Sequence, residues 1–210
     1  SDLREALQSL ARQKFPAPYE VIVVDNRSAD RTKQVTLEAQ AQMQVPVRYV
    51  YEERLGLSVA RNRAIREAEG EYILFLDDDA AASADWIGEI VRLFERDADV
   101  GCVGGKIEPA WEGGAPAWLP AENRTLYSIL DYASEIKEMH APDIPFGANM
   151  AFRASLFEHI AAFREDLGRV GSNLLSNEES ELIARVRGQG WKVVYTPHAS
   201  VLHKIPRNRI

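Results

Sequence analysis

The sequence predicts an α/β protein, a three-layer sandwich in which helices cover both faces of a mostly parallel central sheet. Short apolar runs rich in valine and isoleucine, typical of buried strands, alternate with amphipathic segments typical of helices. The connections between them are short, and parallel strands joined by helical crossovers are the usual outcome of that order.

The alternation is clearest in the first half of the chain. An amphipathic helix opens it, and the polar turn DNRSADRT leads into a second one. Strands are predicted at 19–25, 45–51, 71–77 and 98–107, and further helices at 56–70 and 83–97. The chain begins inside a helical pattern and closes on the basic string HKIPRNRI, so we expect both ends to be cut and an upstream strand to be missing.

The second half is less regular. The segment 108–145 is rich in proline and contains two tryptophans, and a helix is predicted inside it at 124–139. We expect this segment to pass over the sheet edge, because its aromatic side chains need burial or a ligand. A strand at 144–153, a helix at 177–190 and strands at 191–197 and 199–203 complete the prediction.

Composition limits the class of protein. With 210 residues, 46% of them hydrophobic and 27% charged, the chain is predicted to form one globular domain. The single cysteine, Cys102, excludes an intrachain disulfide or a cysteine-based zinc cluster, and its apolar surroundings favour core packing. A net charge of −7 argues against a nucleic-acid partner. No apolar run approaches the ~18 residues that span a bilayer, so a soluble domain is expected.

Two acidic sites follow predicted strands, where ligands of open parallel sheets collect. Asp25 follows the first, and Asp77, Asp78 and Asp79 follow the third. Asp25 can equally be a turn residue or a helix cap. Three adjacent carboxylates at the mouth of a buried strand repel one another, and a divalent cation with oxygen ligands relieves this repulsion, although a solvated turn is the alternative.

Five segments in order carry a resemblance to a known family: VIVVDNRSADRT, GLSVARNRAI, FLDDDA, FGANMAFR and NEESEL. Together they resemble the inverting family 2 glycosyltransferases of the Rossmann-like GT-A fold, over nearly the whole chain. The resemblance implies one domain spanning 1–210, with a nucleotide-sugar-binding half at 1–107 and an acceptor-binding half at 108–210. It also implies transfer of a hexose from a nucleotide sugar, commonly a UDP-sugar, to a hydroxyl group.

The resemblance also assigns the metal and donor residues. Asp77 and Asp79 form the family's Asp-x-Asp pair, with Asp79 on Mn²⁺ or Mg²⁺ and Asp77 nearer the ribose, while Asp78 assists either. The late histidine His203 completes the metal shell, although a lone histidine is as often not a ligand. Arg61 contacts the donor, as suits a guanidinium and phosphate, unless it is a surface cation of its helix.

One residue is a candidate for binding the nucleotide base of the donor. By the same resemblance, Asp25 accepts a hydrogen bond from the nucleotide base, commonly uracil, whose imide N–H is a donor.

The catalytic base is expected in SNEESEL. An inverting transfer needs a carboxylate that takes the proton of the acceptor hydroxyl. Glu179 stands where relatives carry the aspartate base, and Glu178 beside it remains open as the alternative. A second interpretation competes, since Ser176 and Glu179 also form an S-x-x-E capping box in which the glutamate bonds to the helix start.

Acceptor residues are expected near FGANMAFR. Gly147 permits close backbone approach, and Asn149 can orient a hydroxyl or phosphate. Trp111 can stack on a sugar ring, although buried packing explains it as well. The resemblance implies a glycan or lipid-linked acceptor and a cytoplasmic location, with a peripheral membrane contact through the basic end. The oligomeric state is not readable.

The sequence departs from the family pattern in three ways, so other functions have to be considered. Arg54 stands where relatives carry asparagine, Asn26 stands where a second aspartate is frequent, and the family's first strand is not found. A noncatalytic sugar or nucleotide-sugar binding module of the same fold is therefore the alternative. A nucleotidyltransferase would carry a glycine-rich, basic loop near its start, and the sequence has none. A dinucleotide-dependent oxidoreductase would carry the motif G-x-G-x-x-G after a strand, and this motif is also missing.

Overall fold

A computed structural model describes residues 2–116, 118–120, 125–170 and 176–207. The helices are α1 (Asp2–Ala11), α2 (Thr32–Gln42), α3 (Leu57–Glu67), α4 (Trp86–Arg96) and α5 (Glu178–Gly188), with a 3₁₀ helix at Ala154–Glu158. The strands are β1 (Val21–Asp25), β2 (Val47–Tyr51), β3 (Tyr72–Leu76), β4 (Ala80–Ala82), β5 (Val100–Trp111), β6 (Lys137–Glu138), β7 (Asn149–Arg153) and β8 (Lys192–Ile205). The predicted α/β architecture is confirmed.

The strands form two sheets. β1 and β2 pair in parallel, and the larger sheet has the order β3-β7-β5-β8-β4, with β6 paired to β8. In the larger sheet β5 and β8 run parallel, whereas β7 is antiparallel to both β3 and β5, and β4 is antiparallel to β8. The first six residues of β5 are all buried. Because successive strand residues face opposite sides, the centre of this sheet is covered on both faces.

Helix α4 shows how the sequence pattern produces the packing. Its apolar residues recur at intervals of three and four, which places them on one helical face. Trp86, Ile90, Leu93 and Phe94 are all buried in the main core. The helix packs against β5 and β8, so the predicted amphipathic face lies against the sheet.

A groove separates the two sheets on the side of β1 and β3. Both strands contribute to its wall together with Phe15, Trp86 and Val91, and it encloses about 400 Å³. The Glu69 backbone N–H donates to Glu20 Oε1 at 2.9 Å, just ahead of the two strands. Since Glu20 precedes β1 and Glu69 precedes β3, the two strands start at the same end of the groove.

The helix predicted at 124–139 is wrong. Its described residues form a 3₁₀ turn at 125–127, a backbone bridge from Leu130 to Ile107, and β6, which pairs with β8. Residue 124 lies outside the described part. The apolar residues of this segment are buried by pairing at the sheet edge rather than on one face of a helix. Leu130 and Met139, for example, are buried against the sheet.

Two further differences concern strands. The triple alanine β4 follows the acidic loop directly and was not predicted, because alanine is a weak strand former. β5 continues to Trp111, beyond the predicted end at 107 and across the expected boundary between the two halves. Among the described helices, none has the length and apolar character needed to cross a bilayer.

Candidate active site

The acidic loop is held between β3 and β4 beside the long strand β8. The Ala80 N–H donates to the carbonyl of Asp77 at 3.1 Å, which closes a turn. Ala80 pairs with His203 across the β4–β8 ladder, and the Lys204 N–H donates to the carbonyl of Asp79 at 2.9 Å. Strand register therefore brings a histidine from the end of the chain to the aspartates.

Asp77, Asp79 and His203 form a cluster suited to a metal ion. One ligand atom from each lies within 4.8 Å of the others, and His203 Nε2 is 3.3 Å from Asp79 Oδ1. Atoms on opposite sides of one Mg²⁺-sized ion lie about 4 Å apart, so small side-chain movements bring all three into one shell. Two carboxylates and an imidazole fit Mn²⁺ or Mg²⁺.

The negative charges of the acidic loop are only partly offset by nearby positive charges. Burial raises the pKa of Asp77, and the charge of Asp79 adds to this, whereas the charges of Arg61, His203 and Arg169 oppose it. Asp78 is exposed, but partial desolvation and the charges of Asp79 and Asp77 still raise its pKa. Carboxylates that resist ionisation in this way are stabilised as anions by an added cation. The electrostatics therefore support the same interpretation as the geometry.

Arg61 forms a buried ion-pair network with the two candidate bases. Its Nη1 is 3.2 Å from Glu178 Oε1, and its Nη2 is 3.0 Å from Glu179 Oε1. The guanidinium also lies over the ring of Phe163, 5.3 Å from its centroid. Arg61 is 6% exposed, so it is not a surface cation, and in this structure its charge is directed at the glutamates.

Gly147 provides the space for this network. Its N–H donates to Glu179 Oε1 at 2.9 Å. A Cβ at position 147 would lie 1.8 Å from Arg61 Nη2 and 2.4 Å from Glu179 Oε1. Gly147 thus allows close approach, as predicted, but the groups that approach it are the side chains of the site itself.

The capping-box interpretation of Glu179 is wrong. Helix α5 begins after Asn177, which has a left-handed φ of 84° and makes no side-chain cap hydrogen bond. Glu179 instead reaches across to Gly147 and Arg61. Burial raises the pKa of Glu179, and the charges of Glu178 and Asp77 add to this, while Arg61 opposes it. A carboxylate with a raised pKa is a stronger proton acceptor once ionised.

Asp25 lies in a separate polar network at the end of β1. It is 4% exposed, and it accepts hydrogen bonds from the Tyr49 hydroxyl at 2.6 Å and the Ser28 N–H at 2.7 Å. Burial alone would raise the pKa of Asp25, but the bonds from Tyr49 and Ser28 outweigh it and lower that pKa. The bond to Asp25 raises the pKa of Tyr49 to about 12.

Tyr49 was missed by the sequence reasoning. It lies in β2, paired with Val23 of β1, two residues from the end of the strand. The signal was present, because a parallel β1–β2 pair places a tyrosine near the end of β2 beside the terminal aspartate of β1. Asn26 ties the same region to α3, since its Oδ1 accepts the Gly56 N–H at 2.8 Å.

The Asn149 side chain forms hydrogen bonds inside the protein, whereas the sequence predicted that it contacts the acceptor. It is fully buried, and its Oδ1 accepts from Trp86 Nε1 at 2.8 Å. Its Nδ2 donates to the carbonyls of Lys106 at 2.9 Å and Ala199 at 2.8 Å. Both amide hydrogens are therefore used inside the protein, and the side chain joins α4, β5 and β8 rather than lining a pocket.

Trp111 lies at the end of β5 in a cavity next to the acidic loop. The cavity encloses about 310 Å³, and Asp79, Glu112 and Lys204 also line it. The Trp111 ring packs edge-to-face on Tyr127, with centroids 5.4 Å apart. Trp111 is half-buried, so one part of its ring packs while the rest remains accessible to a ligand.

Several relatives by sequence are named as glycosyltransferases. Over 202 residues the chain is 26% identical to the glucosyl-dolichyl phosphate glucuronosyltransferase of Haloferax volcanii, covering 96% of this chain. It is 26% identical over 215 residues to the succinoglycan biosynthesis protein ExoM of Rhizobium meliloti, covering 99% of this chain. The chain spans 64% of the length of each of these relatives.

Similar solved structures share the fold. TarS of S. aureus superposes with a TM-score of 0.71 at 20% identity, over 98% of this chain and 34% of that one. The mannosyltransferase PcManGT of Pyrobaculum calidifontis, in complex with GDP-Man and Mn²⁺, gives 0.71 at 20% identity, over 98% and 54%. These likenesses confirm a GT-A fold. The sequence profile described as Glycosyl transferase family 2 matches residues 1–161, so the chain belongs to that family.

Proposed function

We propose that this protein is a metal-dependent inverting glycosyltransferase. It moves a sugar from a nucleotide sugar, a UDP-sugar by preference, to a hydroxyl group of a glycan or lipid-linked acceptor. The observation that carries the proposal is that His203 of the distant strand β8 meets Asp77 and Asp79 of the loop between β3 and β4, with Arg61 acting electrostatically on Asp77 while pairing with Glu179.

Asp77, Asp79 and His203 hold Mn²⁺ or Mg²⁺ in this proposal. When bound, such an ion supplies positive charge to the diphosphate that departs with the nucleotide. Two structural neighbours support this assignment, because the PcManGT structure contains GDP-Man and Mn²⁺ and a TarS structure contains UDP-GlcNAc. Asp78 is exposed beside the cluster and assists donor binding.

Glu179, rather than Glu178, is the base in this proposal. The Glu178 side chain is 6% exposed and pairs with Arg61, so it serves as a buried counter-ion. The Glu179 side chain is 19% exposed, which leaves it accessible to an acceptor hydroxyl. Its Oε1 is held by Arg61 and Gly147, and this fixed carboxylate takes the proton as the hydroxyl attacks.

The remaining assignments complete the site. Asp25 receives the nucleotide base, with Tyr49 holding its carboxylate in place. Trp111 forms one wall of an acceptor site in the cavity beside Asp79. The 1–107 half binds the donor and the 108–210 half binds the acceptor. The protein acts at the cytoplasmic side of a membrane, which it contacts peripherally through its basic C-terminal segment.

A transfer assay tests the proposal. Purified protein is incubated with Mn²⁺, each of a set of UDP- and GDP-sugars, and a mixture of simple glycoside acceptors. Release of nucleoside diphosphate that depends on both sugar and acceptor supports the proposal, and NMR of the product should show the anomeric configuration opposite to that of the donor. Donor binding without any release would favour the noncatalytic binding module, and retention of configuration would contradict the inverting assignment.

A further inference from the structure

The segment 167–170 is fixed across the first turn of α3, next to the site. Ser58 Oγ donates to the carbonyl of Leu167 at 2.9 Å, and the Leu57 N–H donates to the carbonyl of Arg169 at 3.0 Å. A backbone held at both positions has little freedom, so the base of the Arg169 side chain has a defined place. The same helix carries Arg61 one turn further along.

Gly168 explains why the segment can lie so close to the helix. Its φ is +90°, a conformation that side chains other than glycine rarely adopt. A Cβ at this position would lie 2.8 Å from Ser58 Oγ and 3.4 Å from Glu178 Cδ. The segment thus packs against both α3 and the start of α5, which are the elements that carry Arg61 and the glutamates.

Arg169 differs from Arg61 in its exposure and in its ion pairs. Arg61 is buried and pairs with both glutamates. Arg169 is exposed, and within the described ranges no carboxylate lies at ion-pair distance from it. Its backbone is bonded to Leu57 in the first turn of α3, and Gly168 before it packs on Glu178, so the Arg169 side chain starts beside the network of Arg61 and the glutamates.

We propose that Arg169 is the residue that binds the diphosphate of the donor, the role that the sequence resemblance gave to Arg61. The inference rests on the proposed function and names a further residue for it. A guanidinium presents several N–H donors in a planar fork that matches phosphate oxygens. Because the Arg169 side chain is exposed and its backbone is fixed, it can close on the diphosphate without breaking an existing ion pair.

Isothermal titration calorimetry tests this with UDP and uridine in the presence of Mn²⁺. The variants are Arg169→Ala and Arg169→Lys, and the matched control is Arg164→Ala, an exposed arginine five residues earlier that pairs with Asp166. We expect Arg169→Ala to weaken UDP binding about 10- to 100-fold, a loss typical of one charged hydrogen-bonding partner. Arg169→Lys should recover part of the loss, and uridine binding should not change.

The outcomes separate the inference from the function on which it rests. If the unaltered protein binds UDP and Arg169→Ala binds it equally well, the inference is overturned while the proposed function stands. An equal loss of UDP and uridine binding would mean that Arg169 only supports the segment, which also overturns it. If the unaltered protein binds no nucleoside diphosphate with any divalent cation, the proposed function itself fails and the inference fails with it.

Discussion

Arg61 Nη2 lies 3.0 Å from Glu179 Oε1 in a region where both side chains are largely removed from solvent. The same guanidinium pairs with Glu178, so one cation serves two adjacent carboxylates. A buried carboxylate without a partner would take up a proton and could not act as a base. The charge of Arg61 therefore opposes the rise in the pKa of Glu179 that burial causes.

Glu179→Gln should bind donor normally and lose transfer. The amide keeps the size of the side chain but cannot accept the acceptor proton, so kcat should fall by about 10²- to 10⁴-fold. UDP affinity measured by calorimetry should be unchanged. Glu181→Gln is the matched control, because Glu181 lies in the same turn of α5 but pairs with Arg185. Full turnover by Glu179→Gln together with an inactive Glu178→Gln would move the base to Glu178.

Gly147→Ala should lower activity without removing any charged group. The added methyl would overlap Arg61 Nη2 and Glu179 Oε1 and force the pair apart. A displacement of about 1 Å at a reacting group can reduce the rate about 100-fold. Gly188→Ala in α5 is the control, because a Cβ there meets no heavy atom within 4 Å. An active Gly147→Ala enzyme would show that the Arg61–Glu179 geometry is not needed for transfer.

Tyr49→Phe should destabilise the protein in a pH-dependent way. It removes the hydroxyl that donates to the buried carboxylate of Asp25, which costs about 1–3 kcal/mol of unfolding free energy at pH 7. The pKa of Asp25 is lowered in the folded state, so this stabilisation is present above the unfolded pKa and is lost as the pH falls through the folded pKa.

Urea unfolding at a series of pH values measures this. The difference between the unaltered protein and Tyr49→Phe should be largest near neutrality and should shrink below about pH 4, the ordinary range of an aspartate. A difference that stays constant down to pH 3 would mean that Tyr49 acts through packing alone and that its bond to Asp25 contributes nothing.

Asn149→Ala should lose stability rather than acceptor binding. Three hydrogen bonds disappear, two of them fully buried, and Trp86 Nε1 and the carbonyls of Lys106 and Ala199 lose their partner. We expect the unfolding free energy to fall by about 3–5 kcal/mol, measured by urea titration. A variant of full stability with a raised KM for the acceptor would restore the acceptor-binding role predicted from the sequence.

The fold was largely predictable because its strands and helices differ in hydrophobic period. β1, β2 and β3 lie within their predicted ranges, since each is a short apolar run between polar turns. The segment around 124–139 was not predictable in this way. Its apolar spacing is compatible with a helix, and only the neighbouring edges of β5 and β8 cause its residues to pair as strand.

The sequence predicted candidate residues for the site, but not which of them form ion pairs or hydrogen bonds with one another. The family resemblance predicted Asp77 and Asp79 from a motif and His203 as a late histidine, and the β4–β8 register brings the three together. Whether an arginine serves a phosphate or a neighbouring glutamate depends on distances that sequence does not contain. Asn149 illustrates the same limit, because a polar side chain in a motif can be fully used in joining strands and a helix.

The central claim is that Asp77, Asp79 and His203 bind a divalent cation together with a nucleoside diphosphate. Calorimetric titration of UDP, with Mn²⁺ present and after its removal by chelation, tests it most directly. Asp79→Asn serves as the variant and Asp85→Asn, an exposed residue at the start of α4, as the control. We expect the unaltered protein and Asp85→Asn to bind UDP only with Mn²⁺, and Asp79→Asn to lose this binding. UDP binding by Asp79→Asn that equals that of the unaltered protein would contradict it.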